Sequence, residues 1–293
     1  MRTRSQSERA ARPREDGPGH APGPMHPETF VQAFVDIHDV THVYAGAEDG
    51  APAVEHMTLK VREGEFAAIV GPSGCGKSTV MKLATGLQFP AKGTVIVGGE
   101  EVTKPVKLAG MAFQNPVMLP WRTTLDNLLL PLEIVEPHRS RLRRHKAEYV
   151  ARAEHLLAEV GLAGQGSKFP WQLSGGMQQR ASLCRSLIHG PKLLMLDEPF
   201  GALDAFTREE LWCIIRDLHA EQGFTVILVT HDLREAVFLA DRVFCMSARP
   251  GRIIAEREVD LPRPRDLEVM YTAAFTDIVH ELRGHIADAR QAA

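Results

Sequence analysis

Apolar residues follow different spacings along the chain, and each spacing predicts a different element. Rough alternation of apolar and polar residues predicts a strand in FVQAFVDIHDV, and two more strands, separated by a turn, in HMTLKVREGEFAAIV. Short continuous apolar runs bounded by turn residues, typical of buried parallel strands, occur in KLLMLDEP and FTVILVTHD. The stretch between these two runs has helical spacing. A strand, a helix and a second buried strand in this order predict an α/β sheet.

Helical spacing dominates from about residue 116 to residue 190, as in RRHKAEYVARAEHLLAEVGL. This block predicts a helical subdomain inserted into the α/β core. After residue 250 the chain predicts a short strand, a Pro-rich turn and a terminal helix, so residues 251–293 form a C-terminal extension. Residues 1–27 are rich in Arg, Pro and Gly and predict a disordered arm. Three interpretations of this arm stay open. It is a basic segment that contacts acidic lipid or RNA, it is a solvated tail, or it lies upstream of a true start codon at Met25.

Composition excludes several classes of protein. The 293 residues are 44% hydrophobic and 24% charged, which is ordinary for a globular protein, and the net charge of −3 gives no general attraction to nucleic acid. The four cysteines are far apart and form no CxxC pair, so they indicate reduced thiols rather than a disulfide framework or a zinc site. No stretch approaches 18 apolar residues, and the first residues contain no secretory signal, so we expect no membrane span.

The segment GPSGCGKS, Gly71 to Ser78, fits the pattern G-x-x-x-x-G-K-[ST] and lies between an apolar strand and a helix. Its glycines let backbone N–H groups converge on phosphate oxygens, and the helix N-terminus adds partial positive charge. Lys77 can reach the β- and γ-phosphates, and the Ser78 hydroxyl can bind Mg²⁺. A glycine-rich turn with a chance lysine is the alternative. The predicted ATP-binding residues here are Gly71, Pro72, Ser73, Gly74, Cys75, Gly76, Lys77, Ser78 and Thr79.

Two acidic residues end the apolar strand LLMLDEP. The carboxyl ends of parallel strands form the ligand-binding edge of open α/β sheets, so we expect Asp197 to hold Mg²⁺ there, directly or through water. Glu198 points differently and is free to polarise an attacking water. A solvated acidic turn is the alternative interpretation.

Two further polar residues end strands of the same predicted sheet. His231 closes VILVTHD, where it is either structural or in contact with the γ-phosphate. Gln114, in MAFQNP, is a candidate ligand for Mg²⁺ and for the attacking water. Chemistry alone does not decide either role.

Together these segments resemble the nucleotide-binding subunit of an ABC transporter, over roughly residues 34–251. GPSGCGKST resembles the Walker A loop, LLMLDEP resembles Walker B with its catalytic glutamate, and LSGGM resembles the family signature. Gln114 falls at the Q-loop, GALD (201–204) at the D-loop and His231 at the H-switch. The resemblance implies an ATPase with a P-loop NTPase (RecA-like) core, an inserted helical subdomain and a small antiparallel β subdomain. The nucleotide-binding domain would span residues 28–250.

The resemblance also assigns residues that the motif chemistry leaves open. Tyr44 is placed on the early strand, where such proteins stack an aromatic ring on adenine; an ordinary strand aromatic is the alternative. Asp204, in the D-loop, joins the nucleotide contacts. Cys75 lies inside the phosphate loop, and we expect the helix N-terminus and Lys77 to favour its thiolate, so that alkylation blocks hydrolysis and ATP protects.

The signature loop explains the paired glycines of QLSGGMQQR. In such proteins it binds the γ-phosphate held by the Walker A loop of a second copy. Ser174, Gly175 and Gly176 open a predicted helix, so bare N–H groups and a hydroxyl form an anion site. One chain has one Walker A loop and one signature loop. A head-to-tail dimer with two-fold symmetry therefore completes two ATP sites.

A closer resemblance links VMLPWRTTLDNLLLPLEI, DEPFGALDAFTRE and SARPGRI to the subunits of importers for nitrate, sulfonate, taurine or related small anions. It implies two transmembrane permease subunits, an extracellular solute-binding protein acting indirectly, no nucleic acid, and a peripheral position on the cytoplasmic face of the plasma (inner) membrane. Trp121 is either an exposed anchor for a permease helix or a buried core residue.

Three other functions compete with this one. A soluble ABC ATPase acting on ribosomes or DNA usually has two nucleotide domains or a long coiled coil, and this chain has one Walker A motif and no sustained heptads. A nucleotide-binding scaffold without turnover would not need Glu198 or His231. An importer for a thiamine-precursor pyrimidine differs only in the transported solute, which the sequence does not identify.

Overall fold

Two β-sheets organise residues 33–46, 50–201 and 203–291, which are the residues described by the computed structural model. The predicted arm, residues 1–27, lies outside them. In chain order the strands are β1 (Ala33–His42), β2 (Val54–Arg62), β3 (Phe66–Val70), β4 (Lys92–Val97), β5 (Glu100–Glu101), β6 (Ala109–Ala112), β7 (Leu193–Asp197), β8 (Thr225–Thr230), β9 (Arg242–Met246) and β10 (Ile253–Glu258). The helices are α1 (Lys77–Ala84), α2 (Thr124–Leu129), α3 (His138–Arg141), α4 (Lys146–Glu159), α5 (Gly175–Leu187), α6 (Ala205–Gln222), α7 (Leu233–Leu239) and α8 (Ala273–Gln291).

The smaller sheet is antiparallel, in the order β2-β1-β4-β5. One face of β2 is buried and the other is exposed, because Met57, Leu59 and Val61 alternate with exposed residues. The buried face packs with β3 and α1 into one apolar cluster. This sheet therefore lies against the strand and the helix that flank the predicted phosphate loop.

The larger sheet has the order β10-β9-β3-β8-β7-β6, and all its strands except the edge strand β10 run parallel. β3 and β8 are buried at every position, which explains their unbroken apolar sequences. Val70 pairs with Thr230, and Asp197 pairs with Val229. The carboxyl ends of β3, β7 and β8 therefore meet at one edge of the sheet.

The chain between β6 and β7 forms the helices α2 to α5. They share a core built from Leu128, Leu132, Leu157 and Leu183, all buried. 3₁₀ turns at Leu130–Glu133 and Pro170–Gln172 shape the connections. None of the helices in the described part of the chain is long and apolar enough to span a bilayer.

The last part of the chain packs onto the larger sheet. After β10 a 3₁₀ turn at Leu267–Tyr271 leads into α8. Phe275, Ile278 and Leu282 project from one side of α8 and are buried in the core that also contains β8 and α7. The C-terminal extension thus shares the core of the domain.

Candidate functional site

The predicted phosphate loop lies between β3 and α1, and its backbone requires glycine. Gly74 has φ +76 and Gly76 has φ +101, in the left-handed region that side chains other than glycine rarely adopt. A Cβ on Gly76 would lie 2.8 Å from the carbonyl oxygen of Ala53. No side chain caps the start of α1. The first N–H groups of this helix are therefore open to an anion such as a phosphate.

Lys77 is held beneath the loop. Its Nζ donates hydrogen bonds to the carbonyl oxygens of Gly71 at 3.0 Å and Pro72 at 2.9 Å, and the residue is only 6% exposed. Ser73, Gly74 and Ser78 are exposed on the outer side. Thr79 is buried one turn into the helix. The loop thus presents polar backbone to solvent above a buried ammonium group.

The position of the Cys75 side chain contradicts the reactivity predicted for it. Its side chain is 1% exposed and belongs to the apolar cluster beneath the loop. Burial raises the pKa of the thiol, and this outweighs the opposing effect of Lys77. The expectation that the loop favours a thiolate was therefore wrong, because the left-handed turn directs this side chain into the core instead of towards a phosphate.

Ser78 and Asp197 meet at the sheet edge, as expected for residues that follow β3 and end β7. The Ser78 hydroxyl donates a hydrogen bond of 3.2 Å to Oδ1 of Asp197. Burial raises the pKa of the Asp197 carboxyl, and the bond from Ser78 opposes that shift. A hydroxyl and a carboxylate side by side supply the hard oxygen ligands that Mg²⁺ prefers. These two residues therefore fit the predicted metal.

Glu198 and His231 form a second pair at the same edge. Nδ1 of His231 lies 3.2 Å from Oε2 of Glu198. The backbone N–H of Glu198 donates to the carbonyl of Val229 at 2.8 Å, and Glu198 has φ +46. This left-handed conformation, rare for glutamate, turns the residue out of the strand direction that Asp197 follows. The histidine side chain is 61% exposed, so the pair faces solvent.

Gln114 lies at the same edge of the sheet. Ala112 pairs with Leu196, so Gln114 and Glu198 each stand two residues beyond a matched pair of strand residues. A Cβ on Gly201 would lie 3.8 Å from Nε2 of Gln114. Gln114 therefore adjoins the loop that follows Glu198.

Tyr44 lies two residues after the end of β1, not on the strand as predicted. Bulges shift the pairing of β1 near Val40 and His42, and the strand ends there. The hydroxyl group of Tyr44 is 3.1 Å from Oγ1 of Thr79, and Nζ of Lys82 is 5.6 Å from its ring centroid. The ring is half-buried beside α1. Tyr44 thus flanks the helix that starts at the phosphate loop.

The signature segment forms a separate surface. Ser174 caps α5 by accepting a hydrogen bond of 3.3 Å from the N–H of Met177. Gly175 is exposed, and a Cβ on it would meet nothing within 4 Å. A Cβ on Gly176 would lie 3.3 Å from Leu203. Within the described residues no hydrogen bond joins this segment to the phosphate loop.

Asp204 caps α6, because its Oδ1 accepts a hydrogen bond of 3.1 Å from the N–H of Thr207. Hydrogen bonds from Thr207 lower the pKa of the exposed Asp204 carboxyl. Two polar side chains near this helix, the half-buried Arg208 and the buried Glu235, belong to no motif, and the sequence analysis missed them.

Trp121 is 72% exposed, which excludes the buried alternative. Trp171 is 65% exposed and stacks on Phe169 at a centroid distance of 4.6 Å. A backbone hydrogen bond of 2.7 Å from Thr124 to Lys168 joins the two segments that bear the tryptophans. The helical block therefore presents two neighbouring segments with exposed aromatic rings.

The back of the phosphate loop rests on the C-terminal extension. Gly251 exchanges backbone hydrogen bonds with the start of β2 and the residue before it, donating to Ala53 at 3.0 Å and accepting from Glu55 at 3.1 Å. A Cβ on Gly251 would lie 2.1 Å from the carbonyl oxygen of Cys75. Only glycine permits this close approach.

Comparison with known proteins adds to this geometry. A family model described as "ABC transporter" matches residues 54–201. The bicarbonate transport ATP-binding protein CmpD of Synechocystis is 42% identical to this chain over 235 residues, which cover 80% of this chain and 82% of that protein. The aliphatic sulfonates import ATP-binding protein SsuB 2 of Agrobacterium fabrum is 41% identical over 244 residues, covering 83% and 87%.

Among solved structures, the chain is similar to a dimeric ATP-binding cassette in a post-hydrolysis state bound to ADP and Pi. The TM-score is 0.67 at 30% identity, and the match covers 78% of this chain and 100% of that one.

Proposed function

The chain belongs to the ABC transporter family of ATP-binding proteins, and from that premise we propose that it hydrolyses ATP to drive an importer for a small anion. Similarity to bicarbonate and sulfonate import subunits supports the solute class, together with similarity to nitrate and taurine import subunits. One observation carries the chemistry. The pairs Ser78–Asp197 and Glu198–His231 lie together at the end of adjacent parallel strands, next to the phosphate loop.

In this proposal the phosphate loop binds ATP. Backbone N–H groups at the start of α1 and the ammonium of Lys77 bind phosphate oxygens, which requires Lys77 to leave the carbonyls it now contacts. Tyr44 stacks on adenine beside Thr79. The remaining loop residues contribute backbone contacts, and Cys75 contributes no side-chain contact because its thiol is buried.

Ser78, Asp197 and Gln114 would hold Mg²⁺, which neutralises charge on the β- and γ-phosphates when bound. Glu198 orients and polarises the attacking water. His231, 3.2 Å from Glu198, holds that carboxylate in position and contacts the γ-phosphate. The reaction transfers the γ-phosphoryl group to water and releases ADP and phosphate.

A second copy completes the site. Because Gly175 faces open space and no hydrogen bond among the described residues ties Ser174, Gly175 or Gly176 to the phosphate loop, we propose that they bind the γ-phosphate held by a partner copy in a head-to-tail dimer. Asp204 lies beside this surface and joins the contacts across it. The dimeric arrangement of a similar cassette supports this assembly.

The exposed aromatic segments give the dimer a surface for its membrane partners. Trp121 follows Gln114 by seven residues, and Trp171 is on the neighbouring segment. Large exposed aromatic side chains are typical anchors of protein interfaces. We place two transmembrane permease subunits here, with the extracellular solute-binding protein acting indirectly through them. The chain would then sit peripherally on the cytoplasmic face of the membrane.

Uptake measurements test the importer. The gene is deleted, and growth and entry are compared for nitrate, bicarbonate, taurine, alkanesulfonates and a thiamine-precursor pyrimidine. We expect loss of one small anion and recovery with the wild-type gene but not with Glu198→Gln. Loss of the pyrimidine alone would overturn the anion assignment while leaving the ATPase in place. Unchanged uptake of every solute would contradict the importer.

Sizing chromatography tests the shared site. Glu198→Gln keeps the size and hydrogen-bonding capacity of the side chain but weakens it as a base, so we expect the variant to retain ATP and to dimerise with it. Glu210→Gln, on an exposed position of α6, serves as the control. A Glu198→Gln chain that binds ATP yet stays monomeric would contradict dimerisation of the chain on its own.

A further inference from the structure

Arg208 joins two loops at the sheet edge. Its Nη2 donates a hydrogen bond of 3.0 Å to the carbonyl of Leu203, in the segment 201–204 that follows Glu198. Its Nη1 lies 3.5 Å from Oδ2 of Asp232, the residue after His231. The side chains of Arg208 and Asp232 are only 24% and 18% exposed, so water screens this contact incompletely. One guanidinium therefore connects segment 201–204 with the turn that bears His231.

Glu235 holds the same turn from below. This residue is 4% exposed, and its Oε2 accepts a hydrogen bond of 3.0 Å from the hydroxyl of Thr230. The Thr230 hydroxyl in turn accepts one of 3.0 Å from the N–H of Asp232. His231 lies between these two residues in the chain. The buried carboxyl thus fixes the backbone on both sides of the histidine.

A small cavity of about 40 Å³ lies between these groups. Glu198, Arg208, His231 and Glu235 are among its lining residues. Among the described residues, Nε of Arg208 and Oε1 of Glu235 are buried and have no hydrogen-bond partner. Unpartnered buried polar atoms are costly, and a cavity of this size holds one water. Burial also raises the pKa of the Glu235 carboxyl well above its usual value.

We propose that Arg208 and Glu235, bridged by a water in this cavity, are positioning residues that set His231 and Glu198 relative to segment 201–204. The inference rests on the proposed ATP hydrolysis at Glu198. A displacement of Leu203 is passed through Arg208 to Asp232, and hence to the neighbouring His231. Neither residue touches the nucleotide. Their effect is on the rate of the chemical step and not on ATP binding.

Steady-state kinetics of the full chain test the two residues. Arg208→Met and Glu235→Leu keep the approximate volume but remove the polar contacts, so we expect kcat to fall about 10-fold with KM for ATP within about twofold. Glu235→Gln still accepts from Thr230 and donates into the cavity, so it should recover most of the rate lost in Glu235→Leu. The matched control is Arg216→Met. Arg216 lies on the same helix, roughly 12 Å further along, and also pairs with carboxylates.

Nuclear magnetic resonance of the imidazole nitrogens gives a second readout that needs no turnover. The His231 signals are assigned with His231→Gln. At one fixed pH, we expect Arg208→Met and Glu235→Leu to change the chemical shifts of the His231 ring nitrogens, and Arg216→Met to leave them unchanged. A purely structural role would instead lower the melting temperature of all three variants with no change specific to His231.

The outcomes separate this inference from the proposed function. If the wild-type chain hydrolyses ATP and Lys77→Ala does not, but Arg208→Met and Glu235→Leu match Arg216→Met in kcat and in the His231 signals, the positioning role is wrong and the ATPase stands. If wild type is no faster than Lys77→Ala, the proposed hydrolysis falls, and the positioning role falls with it.

Discussion

Two glycine-rich helix starts, the phosphate loop before α1 and the signature segment before α5, differ in what requires their glycines. At Gly76 the backbone has φ +101, and a Cβ would lie 2.8 Å from the Ala53 carbonyl oxygen. At Gly175 a Cβ would meet nothing within 4 Å. The fold itself excludes a side chain from the first position, whereas at the second position no packing among the described residues does.

This difference indicates where each loop acts. The phosphate loop is shaped by its own domain, with Lys77 buried beneath it and Gly251 behind it. The signature segment is a helix start whose Gly175 faces open space among the described residues. This fits the proposed contact with a nucleotide held by a second copy.

The largest expected effect is at the phosphate loop. Lys77→Ala removes the buried ammonium proposed to contact the β- and γ-phosphates, so ATP hydrolysis should fall at least about 100-fold, with weaker binding of a fluorescent ATP analogue. Lys192→Ala, at an exposed lysine immediately before β7, is the control. Near-normal hydrolysis by Lys77→Ala would contradict the proposal that the phosphate loop binds ATP.

Gly76→Ala should damage both folding and binding. A left-handed alanine costs about 1–3 kcal/mol, and the clash with Ala53 adds to this, so the midpoint of urea unfolding should fall. Gly74→Ala is the matched control, since Gly74 also has positive φ but open space around its Cβ position. Equal destabilisation by the two substitutions would show that the clash contributes nothing.

Gly175→Ala should separate activity from stability. Alanine is favoured over glycine within helices by up to about 1 kcal/mol, so the melting temperature should be unchanged or slightly higher. ATP hydrolysis should nevertheless fall about 10-fold, because a methyl group intrudes where a partner's phosphate is proposed to bind. Gly284→Ala in α8, also in open space, should match the stability but keep the activity. Full activity of Gly175→Ala would contradict the proposal that bare backbone at this position contacts a partner's phosphate.

The smallest effect concerns Cys75. Because burial raises its pKa, little thiolate forms near pH 8, and the reaction with iodoacetamide should accelerate as the pH rises towards the thiol pKa. The half-exposed Cys213 should be alkylated before it, and unfolding in urea should remove the difference. Mass spectrometry of timed digests measures the order. Modification of Cys75 first would show that the loop opens readily.

Most of the site's framework could be predicted from the sequence, because it follows strands with strong apolar patterns. The match to known cassettes confirms the predicted fold class and family. Asp197, Glu198 and His231 could be placed at one edge because parallel strands align their carboxyl ends. The roles of the site residues, and the predicted domain boundaries, stay predictions.

Other features depended on side-chain direction, which periodicity does not encode. The thiol of Cys75 points into the core because the flanking glycines take left-handed conformations. Tyr44 falls beyond its strand because β1 ends at His42, two residues before it. Arg208 and Glu235 were invisible because a lone arginine or glutamate on a helix gives no signal until the facing loop is known.

Gly251 has a practical consequence for anyone who cuts, tags or transplants this protein. Its hydrogen bonds to Ala53 and Glu55 and its close approach to Cys75 place the start of the C-terminal extension directly behind the phosphate loop. A segment that looks like a dispensable tail is thus part of the wall of the loop. A chain cut before Gly251 would keep the sequence of the phosphate loop but lose the backbone that supports it from behind. Chimeras that exchange C-terminal ends should therefore keep the junction downstream of Gly251.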